Sequence, residues 1–247
     1  MGNIISKSFK FFWRNKKVFL PLIGMAMLVG LLEIGVNEET AIVLNVIIFL
    51  TLWLVTIYLM RHILKGEKVK LRDGLYNAMT PLLSSLVIFV VLAAQCIPII
   101  VLVVTFAAAL ETGLFADFFA GSLYVLFAIA MVAISAYLVS GTLMALIAVS
   151  APGMYPVRAL MLTREVMRGE RVNFMVRLVV LALVLGAMVG VVVGVGVLIE
   201  LGIRQLGAVS GIATGVAIFT SGCFATVFAA IYLYLYYRKV LKMEDKK

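Results

Sequence analysis

Residues Arg61–Val69 read RHILKGEKV, and residues Arg164–Val172 read REVMRGERV. Arg61, Gly66, Glu67 and Val69 recur as Arg164, Gly169, Glu170 and Val172, and Lys65 and Lys68 are answered by Arg168 and Arg171. Such charged segments interrupt a chain that is 64% hydrophobic, with a mean hydropathy of +1.17. Soluble domains are closer to half apolar. The rest of this chain must therefore face lipid or other apolar helices, and the charged segments mark where it leaves them.

Working outward from the two segments, six apolar runs emerge, over 18–36, 41–60, 82–110, 121–150, 176–200 and 208–237. Each has roughly the 20 residues that a helix needs to cross hydrocarbon. The first follows a basic stretch, as a signal peptide would. A second run follows within a few residues, so the first is expected as a retained helix. Cys96 and Cys223 both fall inside apolar runs, where lone thiols behave as small hydrophobes. Neither a disulfide framework nor a metal site is expected.

The charges fix an orientation. Lys7, Lys10, Arg14, Lys16 and Lys17 precede the first run, and Arg61, Lys65, Lys68, Lys70 and Arg72 separate the second from the third. Arg158, Arg164, Arg168, Arg171 and Arg177 separate the fourth from the fifth, and Arg238, Lys239, Lys242, Lys246 and Lys247 follow the sixth. Twenty of the 21 basic residues thus lie on one side, leaving only Arg204 on the other, with Glu33, Glu38, Glu39, Glu111, Asp117 and Glu200. Positive charge stays cytoplasmic during insertion, so both termini are expected in the cytoplasm. The net charge of +9 is a product of topology and not a sign of nucleic acid, because the basic residues are spread over four juxtamembrane segments.

A third segment, RKVLKME over Arg238–Glu244, aligns with RHILKGE and REVMRGE. Placed after every even-numbered run, the three suggest an all-α polytopic bundle of six transmembrane helices arranged as three tandem hairpins. The pseudo-repeats of this single membrane domain would span 1–67, 68–170 and 171–247. Basic residues in a last turn complement the carbonyl end of a helix, and Gly66 and Gly169 suit a left-handed position that stops it. The segments are expected to act chiefly as helix punctuation. As a site they would hold anionic lipid headgroups or partner proteins through Arg61, Lys65, Lys68, Arg164, Arg168, Arg171, Arg238 and Lys242.

Other segments carry local signals. Leu71, Leu75 and Met79 form one face of an expected interfacial helix, and Val157, Leu160, Met161, Arg164 and Met167 suggest a second, entered through Pro152 and Pro156. Ile5, Phe9, Phe12 and Trp13 form a similar stripe. Gly186, Gly190 and Gly194, and then Gly207, Gly211 and Gly215, repeat every four residues. They are expected to let helices approach closely, within the chain or between copies of it. Tyr232, Tyr234, Tyr236 and Tyr237 read as an interfacial aromatic belt.

LKGEKVKLRDGLYNAMTP followed by a long apolar run, then APGMYPVRAL and MRGERVNFMVRL, resembles a family of uncharacterised six-span membrane proteins of candidate-phyla bacteria. More distantly it is similar to the membrane domain found beside some glycerophosphodiester phosphodiesterases. The resemblance implies an inner-membrane helical bundle and imports no catalytic residue, since the phosphodiesterase chemistry belongs to a separate domain.

Chemistry is sparse. His62 is the only histidine, and no carboxylate pair falls mid-span. Neither catalysis nor a cofactor is expected. The polar residues inside the apolar runs are Asn45, Gln95 and scattered Ser and Thr. Gln95 stands three before Pro98, where a kink would free a carbonyl, so Gln95 and Asn45 are the candidates for a polar cavity. Such a cavity, if continuous between the third and fourth runs, would favour the competing expectation of a small permease or channel-like carrier for an uncharged or lipidic substrate.

Overall fold

A computed structural model describes residues 2–30, 36–67, 69–113, 117–151, 153–205 and 212–244, with backbone alone for residues 2, 3, 203–205, 212 and 242–244. The described residues form ten helices: α1 (Gly2–Arg14), α2 (Lys16–Gly30), α3 (Glu38–Ile63), α4 (Leu71–Met79), α5 (Leu82–Gln95), α6 (Ile97–Glu111), α7 (Phe118–Ala148), α8 (Pro156–Val166), α9 (Arg171–Gln205) and α10 (Ile212–Glu244). In hydrocarbon every backbone N–H and C=O must be satisfied inside the segment, and helices do this.

Among the described residues, five stretches are long and apolar enough to cross a membrane: Glu38–Ile63, Leu82–Glu111, Phe118–Ala148, Arg171–Gly202 and Ala213–Leu241. The first expected span is not among them. Its described helix, α2, has 15 residues. At about 1.5 Å of rise per residue, α2 is roughly 22 Å long, short of a hydrocarbon core of about 30 Å. Glu33, in the rest of that run, lies outside the described residues.

The chain divides into two compact units, residues 1–83 with 179–247, and residues 84–178. In the first, α10 packs on α1, α2 and α3, and α4 packs on α3. Burial concentrates toward the basic ends. In α3, Leu50, Leu52, Leu54, Val55, Ile57, Leu59 and Met60 are buried, whereas Ile42, Val43 and Ile47 near its start are exposed apolar surface suited to lipid. The tyrosines at the end of α10 join this core. Tyr232, Tyr234 and Tyr236 are buried, not displayed as an outward belt, because α1, α2 and α3 surround α10 there. Phe12 of α1 meets Phe224 of α10 edge-on at 4.9 Å, while Phe9 and Trp13 face outward. In the second unit α7 packs on α6 and α8, and its buried residues likewise run from Ser135 to Ala148.

Helix starts and stops follow local chemistry. Asn37 accepts Thr40 N–H at 3.0 Å to cap α3, and Asp117 accepts Phe119 N–H at 2.9 Å to cap α7, both residue types being favoured caps. At the other end of α3, Glu67 N–H donates to His62 C=O and Gly66 N–H to Ile63 C=O, with Gly66 at φ +82°. These are the paired bonds of a Schellman stop, which needs a left-handed residue at that position.

The repeat has a different register from the one that the charged segments suggest. The first copy ends α3, but the second ends α8, a short helix beyond α7. The third stays helical to Glu244. The long helices α3 and α7 end 85 residues apart (63 to 148), and the short helices α4 and α8 start 85 apart (71 to 156). Each short helix docks through two small residues four apart, Gly74 and Ala78 in α4 and Ala159 and Thr163 in α8. The larger residues of the expected interfacial faces sit to one side, with Met79, Val157 and Met161 exposed. Small residues win because they allow the short helix backbone to lie close against the long one. A Cβ on Gly74 would already stand 3.3 Å from Leu59.

The described ladder glycines make no close approach within the chain. A Cβ at Gly186, Gly190, Gly194 or Gly215 would meet nothing within 4 Å. Gly207 and Gly211 lie outside the described residues. The close approach of α9 and α10 falls at Gly196, where a Cβ would stand 2.6 Å from the Ala217 Cβ and 3.3 Å from the Ala213 carbonyl oxygen. Glu200 seals the same contact. It is buried and accepts both the Thr214 N–H (3.1 Å) and the Thr214 hydroxyl (2.6 Å). Its carboxylate thus stands at the start of α10, where the helix dipole favours negative charge.

Gly196→Ala should therefore destabilise the protein by about 1–3 kcal/mol, the usual range for overpacking, whereas Gly190→Ala should leave stability unchanged or slightly raised. Thermal unfolding of the full chain in mild detergent measures both. Equal losses in the two variants would contradict the packing described.

Candidate functional site

Span 3 is broken between α5 and α6. Pro98 has no N–H to give, and the amides of Ile99 and Ile100 both turn to the Cys96 carbonyl. That leaves the Gln95 carbonyl without its usual helical donor. Ser135 of α7, fully buried, supplies one from its hydroxyl at 3.1 Å. The Gln95 side chain extends beside this bond, with its Oε1 buried and no protein donor within reach.

From there a recess of about 190 Å³ runs along α7, lined by Gln95, Tyr137, Leu138, Gly141, Thr142, Leu160, Arg164 and Arg171. An outer recess of about 410 Å³ shares Tyr137, Arg164 and Arg171 with it and adds Glu165, Arg168 and Gly169. Docking α8 through Ala159 and Thr163 leaves Leu160 and Arg164, one turn apart, to line the recess. Gly169, at φ +95°, then turns the chain into α9. Glu170 opens that helix by accepting Phe174 N–H on its carbonyl and Asn173 Nδ2 on its carboxylate.

Arg171 is the best-held of the three arginines. Its Nη1 donates to the Tyr137 hydroxyl at 2.8 Å, and its guanidinium lies 5.2 Å from the centre of the same ring. Its Nε is buried and has no protein acceptor. Among the described residues, neither Arg164, Arg168 nor Arg171 forms an ion pair with a carboxylate, and the neighbouring Glu165 is not paired with them. Three guanidinium groups against one carboxylate leave the recess strongly attractive to anions.

The structure thus brings Gln95, Arg164, Arg168 and Arg171 together and separates other candidates from them. Asn45 belongs to α3, where its amide donates to the Ala41 carbonyl of its own helix at 3.1 Å, and it does not line the recess. Arg61, Lys65, Arg238 and Lys242 belong to the other unit, at the ends of α3 and α10. The Lys242 side chain and all of Lys68, like Pro152, lie outside the described residues. Tyr137, Ser135 and Thr142 were missed as site residues. The signal available was the crowding of small and polar residues in SAYLVSGT, unusual within an apolar run.

At the end of α3, an ion pair joins His62 to Glu67. His62, hydrogen-bonded to it, holds the Glu67 carboxyl below its ordinary value of 4.5, against a smaller upward push from desolvation. Because the folded-state value of Glu67 is lowered, the support its carboxylate gives the helix end is lost as pH falls through the acid range.

Five helices of membrane-crossing length and hydropathy define a polytopic membrane protein with a helical-bundle fold. No family model matches the chain, and neither a curated protein nor a solved structure matches it.

His62→Gln should return the Glu67 titration upward toward 4.5, readable by carbon NMR of the labelled carboxyl in the full-length protein. An unmoved titration would remove His62 as its cause.

Proposed function

We propose that this chain is a non-enzymatic, multi-pass protein of a bacterial cytoplasmic membrane that holds anionic lipid headgroups on its basic cytoplasmic face. The observation that carries the reading is the convergence of Arg164, Arg168 and Arg171 on one recess without a carboxylate partner. A juxtamembrane basic residue contributes about 1 kcal/mol of attraction to an anionic bilayer. Convergent arginines also offer the forked donors that suit phosphate oxygens.

The topology belongs to the same proposal. Six crossings in three hairpins, with α2 and the residues after it as the first, keep both basic termini in the cytoplasm. With five crossings one terminus and its five basic residues would lie outside, against the positive-inside rule. The acid-capped starts of α3 and α7, at Asn37–Glu39 and Asp117, suit the outer side.

Transport is the competing reading, and the lining argues against it. Neither of the two recesses is lined by a residue of α6. Further along, Thr105 uses its hydroxyl on the Val101 carbonyl at 2.9 Å and on Tyr124 at 3.3 Å.

Replacing Arg164, Arg168 and Arg171 together with Gln should weaken binding of anionic lipid to the detergent-purified full chain by about tenfold to a hundredfold, from the contribution per charge above. The triple Lys variant should retain much of the binding. Undiminished affinity in the Gln variant at low salt would reject the reading. For the topology, in a protein with Cys96 and Cys223 replaced by Ser, Glu39→Cys should be labelled from outside intact cells and Lys70→Cys only after permeabilisation. The reverse pattern would overturn it.

A further inference from the structure

The recess has a floor as well as a rim, and a bare anion does not account for the floor. At the rim stand Arg164, Arg168 and Arg171, the last with a buried N–H still unused. At the floor stands the Gln95 amide, whose buried oxygen is an acceptor that no protein donor reaches. A phosphodiester oxygen satisfies the guanidinium groups but has no proton for that amide oxygen, whereas inorganic phosphate, which keeps an O–H at neutral pH, is the competitor that the test below must separate. A ligand satisfying both ends must carry negative charge at one end and an O–H donor at the other. The inner recess measures about 190 Å³. At about 30 Å³ per water it has room for roughly six. That suits a small hydroxylated headgroup and excludes an acyl chain.

The surroundings identify where such a group comes from. Tyr137 stands about three turns before Ala148, the last residue of α7. At about 1.5 Å per residue, that places it roughly 16 Å from the helix end along the axis. The preceding Val132 and Ile134 are exposed apolar surface suited to lipid. Leu138 and Leu160 sit in the recess wall. A ligand held there has hydrocarbon beside it. We infer that the recess receives the headgroup of one membrane lipid, an anionic phosphodiester bearing a hydroxyl. The arginines hold the phosphate and Gln95 selects the hydroxyl. The inference rests on the anionic-lipid reading and adds to it a specificity and a residue that reads it.

The test compares phosphatidylglycerol with phosphatidylmethanol, which carries the same single charge and no hydroxyl, and with zwitterionic phosphatidylcholine. Binding of each to the detergent-purified full chain is titrated by native mass spectrometry. Phosphatidylglycerol should bind about threefold to tenfold tighter than phosphatidylmethanol, the range for one net hydrogen bond. Gln95→Met should bring phosphatidylglycerol down to the phosphatidylmethanol level and leave phosphatidylmethanol unchanged. Equal binding of these two anionic lipids by the unmodified protein, both above phosphatidylcholine, overturns the hydroxyl selection and leaves the anionic-lipid reading standing. Equal binding of all three overturns that reading as well. Millimolar inorganic phosphate, compared with chloride at the same ionic strength, should not displace phosphatidylglycerol. Displacement would make free phosphate the ligand and overturn the assignment to a lipid.

Discussion

A backbone in hydrocarbon has no water to bond to, and that constraint decides where this chain may turn. The described turns between long helices fall beside charged or capping residues: Asn37 and Asp117 at two helix starts, Gly66 and Gly153 after the long helices α3 and α7. The exception is the break at Cys96, inside the third span. There Pro98 withholds a donor, and the orphaned Gln95 carbonyl is satisfied from a neighbouring helix by Ser135. A polar side chain on α7 is thereby needed at that depth. The inner recess, lined by the Gln95 side chain, forms beside that break.

The basic ends of the long helices are where packing is concentrated. Single helices have little reason to associate in lipid, because tails are as apolar as leucine, so close packing must hold them together. Here short helices supply it. α4 and α8 each lie against a long helix through two small residues, after connections of equal length (64–70 and 149–155). Bulky apolar residues beside the docking face are left to the membrane surface, as Tyr76 and Met161 are. The charged side chains of these segments then remain at the level of the headgroups.

The positions of five of the long helices were legible because they depend on length and hydropathy. Gly66 and Gly169 as stops were also legible, since both take the left-handed conformation that glycine favours. The docking faces were not. Periodicity marks Leu71, Leu75 and Met79, but an interfacial helix has two apolar neighbours, the bundle and the bilayer, and the pattern does not say which residues face which. The same ambiguity misplaced the tyrosines of α10 and the ladder glycines of α9. Gln95 was legible through its spacing from Pro98. That Arg164 and Arg171 would reach the same recess was not, because it depends on α8 folding back along α7.

The repeated charged segments owe their likeness to a shared local task, a glycine stop among basic residues, and not to equivalent places in the fold. In the first copy Glu67 turns back to His62 and closes the end of α3. In the second, Glu170 faces forward and caps α9. This difference has a consequence for the arginines. Two residues, Thr80 and Pro81, join α4 to the next helix, whereas four, Met167 to Glu170, join α8 to α9. The longer elbow carries Arg168 and sets Arg171 at the start of α9, where its side chain reaches Tyr137. The equivalent elbow after α4, Thr80 and Pro81, has no basic residue to present. Of the two structural copies, only the second has both the charge and the length of chain to close a basic site over its long helix.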